Sequence, residues 1–331
     1  MHLRSAFIFL LTISTAWSLT EHKSNQEFEA AAGGRLVIDV DFGTIDVAPG
    51  AEGKVVVEAY RKIDASDETR EKEYFAATPL LITKEGETVT VRARRDKETQ
   101  DCKWSGNMNM DARYTVRVPK TFDADLHTSG GSIAASGLAG EIKADTSGGK
   151  MKFGQLRGPL DARTSGGSIA LDDCEGALRV STSGGGIESN NGGGNLDART
   201  AGGSIQVRGF RGDTEVKTSG GKLTLENITG NLVGKTSAGS ISAALVDPVP
   251  GDVTLQTSAG SIDLALSPKA AVSVDAKAGM GSIRTEIPML ATRSDDDHLQ
   301  GTLNGGGKSL VLKASVGSIT IKPVADATAA R

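Results

Sequence analysis

The sequence predicts an all-β chain: a parallel β-solenoid of about ten 18–21-residue coils with an N-terminal β-rich cap segment. Three observations predict it. A six-residue glycine motif recurs along the chain, its spacing holds at 18 residues six times running, and apolar and polar residues alternate on both sides of it. Coils this short have no room for a helix. They bury their inward faces only by stacking on one another.

Composition narrows the classes first. The 331 residues include 42 glycines, 9 prolines and 2 cysteines, and only 4% are aromatic. Collagen needs glycine at every third position with abundant proline, which this chain lacks. At 38% hydrophobic and 24% charged, it is not composed as a disordered chain. The net charge of -4 gives no general pull toward nucleic acid, and none is expected as a partner.

Taken in order, residues 1–18 read as a signal peptide. A short basic start precedes an apolar run from Ala6 to Trp17, and Ala16 and Ser18 place small residues where a signal peptidase cuts, so cleavage is expected after Ser18. The run of ~12 residues is shorter than the ~20 that span a bilayer. The mature chain is therefore expected to be exported, to the periplasm, cell surface or medium, without a transmembrane segment. Residues 19–127 read as a β-rich segment that starts and caps the solenoid. Lys54–Tyr60, Pro79–Thr83, Thr88–Arg92 and Tyr114–Val118 have strand patterns. Asp67–Ala77 reads as a short helix and Asp96–Asp111 as a polar loop. Val40-Asp-Phe-Gly-Thr-Ile45 resembles one more copy of the motif.

Residues 128–323 carry the repeat. The motif reads Thr128-Ser-Gly-Gly-Ser-Ile133 and recurs from Thr146, Thr164, Thr182, Thr200, Thr218, Thr236 and Thr257, with degenerate copies from Ala278 and Ala314. The last interval, 36 residues, leaves room for one unrecognised copy. With the motif threonine as position 0, position -4 holds Ile142, Leu160, Leu178 and Leu196, and position -2 holds Ala144, Ala162, Val180 and Ala198. Polar residues lie between, which is the period of a half-buried strand. Position +5 is apolar in every copy, and +7 usually is. Position +10 is apolar again (Leu138, Leu156, Cys174, Phe210, Ile228, Val246), and +12 is glycine from Gly140 to Gly230. A left-handed hexapeptide helix would repeat its apolar position every six residues, whereas here 0, +6 and +12 differ. In-register stacking would turn the threonines into a ladder of hydroxyls beside the turn. Residues 324–331 read as a disordered tail.

This glycine-turn repeat, with the strand-rich N-terminal segment and the signal peptide, resembles the bacterial putative-adhesin domain family of unknown function, from about Phe28 to Pro323. The resemblance implies a β-solenoid at the cell envelope with no established enzyme chemistry. It assigns no functional residue.

Site signals are sparse. Cys174 falls in the apolar +10 column and is expected to be buried, with Cys102 in the polar loop; an oxidising compartment would allow the two to pair. Neither a CxxC pair nor a Cys/His cluster exists, so no metal, cofactor or catalytic residue is expected. His22, His127 and His298 have no triad partners and read as solvated rings. Ser294-Asp-Asp-Asp-His298 lacks the spaced ligands of a calcium loop and reads as a solvated loop tip. Position -1 stacks Arg163, Arg199, Lys217, Lys235, Lys277 and Lys313 into a basic stripe, a candidate for polyanion binding. Position -3 sets Asp161, Asp197, Glu215 and Asp275 beside it. A carbohydrate-cleaving β-helix would group carboxylates on one face and add aromatic platforms, yet Trp104 is the only tryptophan after the expected cleavage. The expected function is thus non-enzymatic binding or structure, with an envelope polysaccharide or protein as partner. A polysaccharide-acting enzyme and a self-associating scaffold remain as alternatives.

Overall fold

The structure, a computed structural model, describes residues 17–18, 21–65, 68–95, 108–249 and 251–324. The expected signal peptide lies outside these residues up to residue 16, as do Cys102, Trp104 and the tail beyond residue 324.

Each coil contributes one strand to each of two sheets. Strands that lead into the turn form an entry sheet, and strands that leave it form an exit sheet; each is 15-stranded. Within the repeat the pairing is parallel and in register: Ile142↔Leu160 and Thr146↔Thr164 in the entry sheet, Met151↔Ile169 in the exit sheet. The alternation in sequence becomes alternation in burial. Leu160, Ala162 and Thr164 point inward while Asp161 and Arg163 do not. One continuous apolar core runs the length of the rod, from Leu36 to Ile321. Val40 pairs with Thr128 and Ile45 with Ile133, so residues 35–49 form a genuine coil. Thr88–Ala93 and Met108–Val118 supply the two strands of another, so the expected polar loop is already strand from Met108.

The threonines are buried, and their hydroxyls do not bond to one another. Thr182 Oγ1 donates to Gly167 O at 2.8 Å and accepts from Gly185 N at 3.2 Å. The same pair of bonds recurs at Thr164, Thr200 and Thr218. Each threonine therefore closes its own turn and ties it to the turn of the coil before. Buried hydroxyls need such partners, and here backbone supplies both.

The +10 column is buried as expected, with one correction. Cys174 is 1% and Phe210 0% exposed. Val246 is exposed, because the 21-residue coil carries extra residues and turns Val249 inward instead. Gly192 leaves a gap in this column that the Phe210 ring fills; a Cβ on Gly192 would lie 2.6 Å from it.

At both ends the chain departs from sequential stacking. Coil 35–49 lies between coil 88–118 and coil 123–136. At the other end, Lys308–Val316 lies between Val253–Ala259 and Val272–Met280, and Ile319–Pro323 lies between Ile262–Leu266 and Ile283–Thr285. The 36-residue interval holds no further coil. It holds an antiparallel hairpin, Leu290–Ser294 with His298–Leu303, which caps Val272–Met280. The N-terminal cap is the antiparallel set Glu21–Glu29 and Lys54–Ala65, with the helix Glu68–Ala77 packed on it.

Candidate functional site

The entry sheet turns its polar face outward in three columns, at positions -5, -3 and -1. Across six consecutive coils this face is hollowed into a groove of ≈560 Å³, lined from Glu141 and Lys143 to Asn231 and Val233. Five strand spacings make it ~24 Å long. Pro159 and Ala177 stand in the column that elsewhere holds Glu141, Asn195, Asp213 and Asn231.

Five carboxylates line it (Glu141, Asp161, Asp197, Asp213, Glu215) against two cations, Lys143 and Arg179. Most are engaged. Arg199 grips Asp197 with two bonds, at 2.7 and 2.9 Å. Arg163 bonds Asp161 Oδ2 at 2.7 Å, while Asp161 Oδ1 is buried without a partner. Lys217 pairs with Glu215 and holds that carboxyl below its usual range through their hydrogen bond. Asp213 Oδ1 accepts from the backbone N–H and side-chain amide of Asn231 in the next coil, at 3.0 and 3.1 Å. The -5 column thus fastens one coil to the next. Asp252 continues this by accepting from Ser309 N at 2.9 Å.

The basic stripe stacks as a column, but not in chain order: Lys277 stands beside Lys313, and Lys313 beside Gln256. Arg163, Arg199, Lys217 and Lys277 each face a carboxylate two residues back on their own strand. Lys235 and Lys313 have Val233 and Val311 at that place, and no ion pair among the described residues. Exposed pairs contribute little stability, yet they cancel field. Lys235 acts on Glu215 only through space, so the least compensated charges of the stripe are Lys235 and Lys313.

Outside the groove, Cys174 is buried, and burial pushes its thiol above the usual range. His127 lies 3.7 Å from Asp145 at the surface. His298 departs from its expected solvation: the hairpin folds its ring against Asp275 at 2.9 Å, leaving the side chain 12% exposed. The acidic run before it forms the hairpin tip, where the carbonyls of Asp296 and Asp297 accept from Ile283 and Ala278. No group of three or more metal-ligating side chains gathers among the described residues, and no described helix is long and apolar enough to cross a membrane.

Sequence reasoning missed the -5 column. Its recurrence of Asp, Glu and Asn was the available signal, interrupted by Pro159 and Ala177.

No curated protein matches the chain. Among solved structures it is similar to a putative adhesin from Bacteroides fragilis at 13% identity, covering 90% of this chain and 96% of that one, TM-score 0.32. It is likewise similar to a putative lipid binding protein from Parabacteroides distasonis, at 10% identity, 90% and 96% coverage and TM-score 0.33. A putative cell adhesion protein from Clostridium sporogenes matches at 11% identity, 92% and 100% coverage and TM-score 0.24. The family described as Toastrack DUF4097 matches residues 34–322, and the chain belongs to that family.

Proposed function

We propose that the chain is an exported, non-catalytic binding protein of the bacterial envelope, and that it holds a linear polysaccharide along the outer face of its entry sheet. The groove carries this reading. It crosses six coils in a straight line, and its polar side chains recur at every strand spacing of ~4.8 Å. A polymer with a short repeat meets a polar side chain again at each step, though not the same one. Carboxylates, amides and Arg179 suit hydroxyl groups, which both donate and accept. Membership of a family with no known catalytic activity supports the non-enzymatic part.

One observation favours a second reading, a polysaccharide-acting enzyme: five carboxylates share the groove. Against it, Asp161, Asp197 and Glu215 are held by cations, and the shift at Glu215 runs downward, whereas a general acid needs its pKa raised.

Retention of the mature chain on immobilised neutral and acidic linear glycans tests both. Binding should fall at least tenfold in Asp197→Ala/Asp213→Ala. On acidic glycans Lys235→Glu should weaken binding more than Arg199→Glu, whose charge is already offset. Equal retention of wild type and groove variant would remove the binding reading. Release of new reducing ends, lost in Asp213→Asn, would establish the enzyme instead.

A further inference from the structure

Two sheets have four outer edges, and an unguarded edge is a template for another chain. In the entry sheet the edges are Leu81–Glu85 at one end and Leu290–Ser294 at the other. Both strands are five residues long and almost wholly exposed, with Leu81 at 49% and Leu290 at 76%.

Their directions match as partners. All coil strands in this sheet run one way. Leu81–Glu85 is antiparallel to Thr88–Ala93 and so runs against the coils. Leu290–Ser294 is antiparallel to His298–Leu303, which is itself antiparallel to Val272–Met280, and so runs with them. Two copies set end to end would place Leu290–Ser294 of one against Leu81–Glu85 of the next as an antiparallel pair. That pairing continues the alternation of the hairpin to which each strand already belongs.

Each edge nevertheless carries an obstacle. Lys84 pairs with Val89, which is fully buried, so it shares the inward face of the sheet at its last strand. A second chain added there would close over its ammonium group, which faces the exposed Glu87 carboxylate only at 3.9 Å, and burying so loosely paired a charge is costly. At the other end the register slips between Ala291 and Arg293, leaving Thr292 bulged with its hydroxyl on Gln300 O at 3.3 Å. A bulge breaks the row of backbone groups a partner would need. The exit sheet is guarded too: Ile283–Thr285 is only 3 residues long and carries Arg284, and at the other end Trp17–Ser18 covers only Glu21 and His22, leaving the rest of Glu21–Glu29, studded with Lys23, Glu27 and Glu29, at the edge.

We infer that the two ends of the entry sheet are matched edges for a second copy of this chain, and that Lys84 and the Thr292 bulge keep them from joining, so that the rod stays monomeric. This stands independently of the polysaccharide reading. Sedimentation velocity of the mature chain over a hundredfold concentration range tests it. Wild type should keep one monomer mass throughout. Lys84→Val combined with deletion of Thr292 should give masses that grow with concentration in multiples of the monomer. If the deletion unfolds the hairpin by circular dichroism, Lys84→Val alone decides, through a self-association constant at least tenfold above wild type. Wild type that assembles as readily as the variant, or a folded variant that stays monomeric, overturns the inference.

Discussion

Gly184 and Gly185 are neighbours in one turn with opposite tolerances. A Cβ on Gly185 would run into the carbonyl of Gly167 in the coil before, and the corresponding contact recurs from Gly131 to Gly317. Nothing approaches a Cβ on Gly184 closer than 3.6 Å. Close backbone approach therefore fixes the second glycine of each motif, and the first is free to vary. Ala238, Ala259, Met280 and Val316 occupy that first position without disturbing the stack. Gly185→Ala should cost about 3 kcal/mol, because the clash is with paired backbone that cannot move aside. Gly184→Ala should change stability by about 0.5 kcal/mol or less. Urea denaturation midpoints of the two variants check the contrast; equal losses would refute it. Glycine is not the only residue at the corners. Position +9 adopts positive φ at Gln155, Asp173, Asn191 and Asn227 as well as at Gly137 and Gly209. Scanning for glycine alone passes over that column, since Asn and Asp also adopt the conformation as single residues.

At the scale of elements, the N-terminal cap gathers aromatic rings around a buried cation. Arg61 in the strand Lys54–Ala65 is buried, donates to Thr78 O and Oγ1 at 2.8 and 2.6 Å, and lies 5.1 Å over the Phe75 ring of the helix. His22 in the neighbouring strand meets the same ring edge-on at 6.3 Å. Burial, and secondarily the Arg61 charge, push the His22 pKa below its ordinary 6.5. Above that pH, folding costs His22 no proton. As pH falls through 6.5 the unfolded chain takes up a proton that the folded chain resists, so stability drops. Denaturation midpoints should therefore decline between pH 7 and pH 5.5, less steeply in His22→Phe; identical slopes would exclude His22 as the cause. How legible each element was follows from its physics. Strands in the repeat were readable because a half-buried strand must alternate, and Leu160-Asp-Ala-Arg-Thr164 does so in plain view. The in-strand pairs Asp161–Arg163 and Asp197–Arg199 were readable too, since residues two apart share a face. The groove was not, because Pro159 and Ala177 interrupt the polar -5 column that lines it. Nor was the hairpin Leu290–Leu303, whose strands fill an interval that the period alone assigns to a coil.

At the scale of the molecule, the order of coils in space is not the order in the chain, and this changes where the rod is weak. A solenoid stacked in sequence frays from its last coil, because that coil has a neighbour on one side only. Here Lys308–Val316 and Ile319–Pro323 have parallel partners on both sides. The contacts along the glycine stack show the same order, from Gly260 to Gly317 to Gly281. Closing the C-terminal coil in this way fastens three coils into one unit: coil 272–285 cannot leave without exposing one edge of coil 308–323, and coil 308–323 cannot leave without opening a gap between two others. Local opening should therefore begin at Leu290–Ser294, which is exposed throughout and joined to one neighbour by an irregular pairing. Hydrogen exchange read by mass spectrometry should show fast exchange at residues 290–294 and, farther along the chain, protection at residues 308–323 as strong as at 214–218 in the middle of the rod. Exchange that instead rises steadily from residue 253 to residue 323 would mean that the end coils open one after another, and that the interleaving does not hold the end shut.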